Sequence, residues 1–147
     1  MDIKDKNTLA IGLGLTLVTV SNIIGHFAGP FSILATPILL TIIIAGINSQ
    51  LYKSNFILTI VYNFGLLLLN DLLIRLYAGG THDQVGKALI SLFFIVAFVL
   101  ALITMAIYCF ISFDEKSRTK KILTNLFIIL ILASTTGLIY ASALSNL

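Results

Sequence analysis

Residues 56–83 read FILTIVYNFGLLLLNDLLIRLYAGGTHD. The run from Phe56 to Tyr77 is apolar apart from a few polar and charged positions, and it ends at the Gly79-Gly80 pair. As a helix it spans roughly 33 Å at about 1.5 Å per residue, which matches the hydrocarbon thickness of a bilayer, about 30 Å. Glycine tolerates the backbone conformations that stop a helix, so this stretch predicts one membrane-crossing helix followed by a short loop.

The rest of the chain follows the same pattern. It has 147 residues, of which 59% are hydrophobic and only 10% charged. A soluble domain carries roughly 25% charged residues, and a surface this poor in charge would expose large apolar patches to water. Four more apolar runs cover residues 8–28, 31–48, 85–113 and 122–144. With 56–77 they make five expected spans in a single polytopic domain. The fold class expected is therefore all-α, an integral membrane helical bundle of five transmembrane helices. Gly29-Pro30 separates the first two runs, because proline cannot continue the hydrogen-bond ladder. Charge and length also admit a re-entrant hairpin for these two runs, with length favouring full spans. Ala28-Gly29-Pro30 does not read as a signal cleavage site, so the first run is expected to be a retained span.

Basic residues give an orientation. Lys4, Lys6, Lys53, Lys116, Arg118, Lys120 and Lys121 fall on one side of a five-span arrangement, and Arg75 and Lys87 fall on the other. Seven against two predicts the N-terminus inside and the C-terminus outside. With no organelle transit peptide in view, the expected location is a bacterial cytoplasmic membrane.

Several function classes drop out. The net charge of +3 sits in short segments beside apolar runs, with no basic stripe for a nucleic acid. Cys109 is the only cysteine, which excludes an internal disulfide and a CxxC redox motif. The glycine turn lacks the GxxxxGK[ST] and GxGxxG spacings of nucleotide loops. Haem ligation would need facing histidines inside spans, and the chain has only two histidines, both at span ends or in loops.

The polar residues that remain are the candidate sites. Asn63 and Asn70 lie seven apart on the third span and share a face. Asp71 and Arg75 lie four apart with the acid first, the better order for a helical ion pair. An ionisable residue inside a span is costly and marks a functional hypothesis. The competing reading is that the pair neutralises itself near the interface and fixes the helix depth. His82 and Asp83 occupy the loop above, and His26 ends the first span on the same side. Imidazole and carboxylate are ligand types for a first-row transition metal, although His26, His82 and Asp83 match no known ligand spacing. The cofactor is otherwise unspecified. Asn22 and Asn63 are expected inside the bundle, where an amide finds partners.

Two small-residue stripes, Ser21, Gly25, Gly29 and Ala133, Gly137, Ala141, allow helices to approach closely in lipid. They predict lipid and other spans, in a homo- or hetero-oligomer, as the partners, and no nucleic acid. Three functional readings follow. The first is a subunit or scaffold of a membrane complex. The second is an oligomeric channel or carrier (transport) whose path runs along Asn63, Asn70, Asp71 and Arg75. The third is a membrane enzyme or metal-binding protein with an outer-face site.

Overall fold

The computed structural model describes residues 3–28, 30–52, 55–77, 84–111 and 118–145, and within them the chain is helical apart from the joins. The helices are α1 (Ile3–Ala28), α2 (Pro30–Leu51), α3 (Phe56–Leu76), α4 (Gln84–Ile111) and α5 (Arg118–Ser145). All five are long and apolar enough to cross a membrane. Of the sequence-based site residues, Gly29, His82 and Asp83 lie outside the described residues, as does the side chain of Ala141.

The helix ends follow local chemistry. Pro30 opens α2 at the first helical position, where its missing N–H has no intrahelical partner to lose. Pro37 lies further inside the same helix. Asn55 caps α3 by accepting a hydrogen bond from the Leu58 backbone N–H at 3.2 Å. At the other end the Tyr77 N–H closes on the Leu73 carbonyl at 2.9 Å. Two helices begin earlier than the apolar runs do. α1 includes Lys4 and Lys6, and α5 takes in Arg118, Lys120 and Lys121. Lysine and arginine have good helix propensity, so a change to charged side chains ends the apolar run without ending the helix. Arg118 also donates to the Phe110 carbonyl at 3.2 Å, tying the start of α5 to the end of α4.

Packing places α3 at the centre. Among the described residues it is the one helix that touches all four others. Around it, α1 meets α2, α2 meets α4, and α4 meets α5, while α1 and α5 make no contact. The bundle is therefore a curved row wrapped on α3 and left open along one side. The core joins Val18, Leu40, Ile44, Ile60, Leu67, Ala101 and Met105 from four helices. The uncovered strip of α3 is Leu58, Val61, Gly65, Leu68, Leu72 and Leu76, spaced three and four apart and facing the opening.

Small residues serve different ends. Gly25 is buried and Ser21 half-buried on α1, with the Ser21 hydroxyl bonded to the Val18 carbonyl at 2.9 Å. On α5, Ala133 is half-buried, whereas Gly137 is exposed with open space where a Cβ would sit. The tight glycine is Gly14. A Cβ there would stand 2.9 Å from Ile47 Cδ1 and 3.0 Å from the Tyr62 hydroxyl. That close approach lets Tyr62 donate to the Ile11 carbonyl at 2.5 Å, joining α3 to α1. Beside it an apolar groove of about 390 Å³ runs between α1 and α2, lined by Leu9, Leu13, Leu17, Ile42, Ile43 and Gly46 among others.

Gly14→Leu is expected to cost ~1–3 kcal/mol through overpacking, whereas Gly12→Leu, whose Cβ would meet nothing within 4 Å, should leave stability unchanged. Cys109 is the only cysteine and is fully buried. A thiol-reactive dye therefore reports unfolding directly, and equal melting temperatures for the two variants would contradict this packing.

Candidate functional site

Three polar residues of α3, Asn63, Asn70 and Arg75, reach different neighbours. Asn63 donates from Nδ2 to Asn48 Oδ1 on α2 at 2.7 Å. Asn70 accepts at Oδ1 from Asn22 Nδ2 on α1 at 2.9 Å. The Asn22 amide nitrogen also donates to the Val18 carbonyl at 2.8 Å, so both of its protons are used. All four asparagines are buried. Unmet amides are expensive in an apolar surround, and pairing them across helices lowers that cost while setting which helices sit together.

One turn on, Asp71 and Arg75 form the ion pair expected from their spacing, Nε to Oδ2 at 2.9 Å. The pair does not stand alone. Arg75 Nη2 donates to the Tyr140 hydroxyl on α5 at 2.5 Å and to the Ser91 hydroxyl on α4 at 3.3 Å. The Ser91 hydroxyl in turn donates to the Lys87 carbonyl at 2.9 Å. The guanidinium carbon lies 5.5 Å from the Tyr140 ring centroid, and that ring stacks on Phe94 with centroids 4.3 Å apart. Arg75 thus holds α3, α4 and α5 together, with its plane steered by an aromatic pair. Asp71 and Arg75 are largely buried, with side chains 13% and 21% exposed. The second carboxylate oxygen of Asp71 has no partner among the described residues.

His26 ends α1 near the same end of the bundle. Its Nδ1 donates to the Tyr77 carbonyl at 2.7 Å, since a carbonyl can only accept. The His26 ring also stacks on the Tyr77 ring at 4.6 Å between centroids. The histidine therefore locks the last turn of α1 to the cap of α3. Among the described residues no three histidines, cysteines or acids converge as a metal site would require.

Asn63, Asn70, Asp71 and Arg75 thus lie along one helix, with the two asparagines and Arg75 bonded to different neighbours. Asn63 and Asn70 are about 10 Å apart along the axis. Between them sit Leu66 and Leu67, which are 1% and 0% exposed. The sequence pattern did not identify Asn48, Ser91 and Tyr140 as partners. Asn48 reads as a span boundary, and Ser91 and Tyr140 sit in apolar runs that carry no signal of which way they face. No family model, curated protein or solved structure matches this chain.

Arg75→Leu strands the mostly buried Asp71 carboxylate, and about 3 kcal/mol of stability should be lost. Adding Asp71→Leu should recover much of that loss, because the unpaired charge goes with it. Tyr140→Phe keeps the stack on Phe94 and should cost only ~1 kcal/mol. Thiol-dye melts of the single and double variants measure all three, and additive losses for Asp71 and Arg75 would show that the two do not act as a unit. For the Asn22–Asn70 pair, a double-mutant cycle with leucine should give a coupling of about 0.6–1.7 kcal/mol.

Proposed function

We propose that this chain is a multi-pass membrane protein that acts as a structural subunit of a membrane complex, crossing the bilayer five times with its N-terminus inside. The observation that carries this reading is the use of the α3 polar residues. Asn63, Asn70 and Arg75 bond to α2, α1 and to α4 with α5 respectively. A polar helix whose groups are spent on holding its neighbours is a hub. The apolar outer faces support the membrane setting, because such surfaces are stable only against lipid or other apolar helices. The excess of Lys and Arg at one end supports the orientation. A bacterial cytoplasmic membrane remains the setting this reading favours.

The carrier reading ranks below it, since the buried, apolar Leu66 and Leu67 sit between Asn63 and Asn70 along α3. The outer-face metal or enzyme reading ranks third. Its donors include His26, whose Nδ1 is already held by Tyr77.

The face offered to another span is the open strip of α3, where Gly65 has nothing within 4 Å of a Cβ position. Small residues allow helix backbones to come close in lipid. The complex should persist in mild detergent as a species heavier than one chain, either with a second protein or with further copies. Gly65→Phe should dissolve the association while leaving the melting temperature of the chain itself unchanged. A single-chain species in both wild type and variant, together with solute flux in proteoliposomes, would overturn the subunit reading in favour of the carrier.

A further inference from the structure

Three buried asparagines lie toward the end of the bundle where α3 and α5 begin. Asn63 is seven residues into α3 and Asn125 is seven residues into α5, so each lies about 10 Å in from its helix start. Asn48 reaches the same level through its bond to Asn63. α3 is in contact with both α2 and α5. The side chains of Asn48, Asn63 and Asn125 are 1%, 0% and 0% exposed.

Their hydrogen-bond inventory does not close. After Asn63 Nδ2 has donated to Asn48 Oδ1, the nitrogen of Asn48 and the oxygen of Asn63 have no partner among the described residues. The same holds for both the nitrogen and the oxygen of Asn125. Buried amide atoms are rarely left unmet. The Asn22–Asn70 contact, by contrast, uses both protons of its donor nitrogen. The unmet atoms are two donors and two acceptors, a balanced set. A cation would engage only the acceptors and an anion only the donors, and either would bring an uncompensated charge into an apolar surround. A small neutral molecule that both donates and accepts satisfies the donor and acceptor left at the Asn48–Asn63 pair, and likewise those of Asn125. Nearby groups are neutral too. Burial pushes the Tyr52 phenol well above its ordinary value, with Cys109 beside it adding to the rise.

We propose that these asparagines hold bound water, one molecule at the Asn48–Asn63 pair, where Asn48 Nδ2 donates and Asn63 Oδ1 accepts, and another at Asn125, where Nδ2 donates and Oδ1 accepts. Buried water of this kind makes two to four hydrogen bonds to otherwise unmet groups. The bundle then has hydrated asparagines toward the α5-start end and one dry asparagine pair, Asn22–Asn70, toward the other end. Leu66 and Leu67 lie between Asn63 and Asn70 on α3.

The test uses the full isotope-labelled chain in lipid nanodiscs. Solid-state NMR transfer from water to side-chain amide protons should give cross-peaks at Asn48 and Asn125 and none at Asn22. Absence of water transfer at Asn48 and Asn125 overturns the proposal, whatever any variant does. As a second measurement, Asn125→Leu should lower the melting temperature by about 3 °C or more, because it removes two anchors of the bound molecule. An unchanged or raised melting temperature would overturn the role of Asn125, since replacing a dry, unmet amide by an apolar group of similar shape is neutral or stabilising.

Discussion

Partner satisfaction on α3 is the constraint on which the arrangement depends. A helix that carries two asparagines, an aspartate and an arginine in an apolar surround has no bulk water to meet those groups. Asp71 finds its complement on the same helix, and the other three find theirs on all four neighbours. Apolar packing alone would not fix the order of helices around α3. Leucine and isoleucine faces are interchangeable in such a setting, and helix association in lipid gains little from burying them. Directional bonds between unlike positions supply the discrimination.

The energies involved are small one by one. An interhelical side-chain hydrogen bond in a membrane protein averages about 0.6 kcal/mol, well below the loss incurred when a buried charge is left without its partner. The Asp71–Arg75 pair therefore differs in kind from the asparagine pairs. Removing an asparagine weakens a contact, whereas removing Arg75 alone leaves a carboxylate with no counter-charge. The short distance along one helix keeps the two charges together, and the ties to Ser91 and Tyr140 settle where the guanidinium points. Tyr62 and His26 add two bonds to backbone carbonyls of the facing helix, one near each end of the α1–α3 contact.

Much of the fold was legible from the residues because length and apolarity determine a membrane-crossing helix almost by themselves. The apolar runs and the five helices agree to within about a turn; lysine and arginine extend α1 and α5 at their starts, and Ser49 and Gln50 carry α2 past the end of its apolar run. The Asp71–Arg75 contact was legible because a four-residue spacing on a helix fixes proximity. Partner choice between helices was not. Helices that are apolar on every side show no stripe to mark the inward face, so nothing in α4 or α5 signals that Ser91 and Tyr140 face Arg75, or that Asn48 rather than Asn22 meets Asn63. The loop with His82 and Asp83 lies outside the described residues, so the residue cluster that reads most like a site in the sequence is represented structurally by Asp71, Arg75 and His26.

The separations in sequence between bonded residues also set an order in time. Asn48 and Asn63 are 15 residues apart, Asn22 and Asn70 are 48 apart, and Arg75 and Tyr140 are 65 apart. A chain made from its N-terminus onward closes the α2–α3 bond first and the α1–α3 bond next. Asn22 is therefore made well before its complement exists. The last tie waits for α5, so a nascent chain halted after α4 carries a guanidinium that still lacks the Tyr140 hydroxyl and the aromatic face that completes its surround.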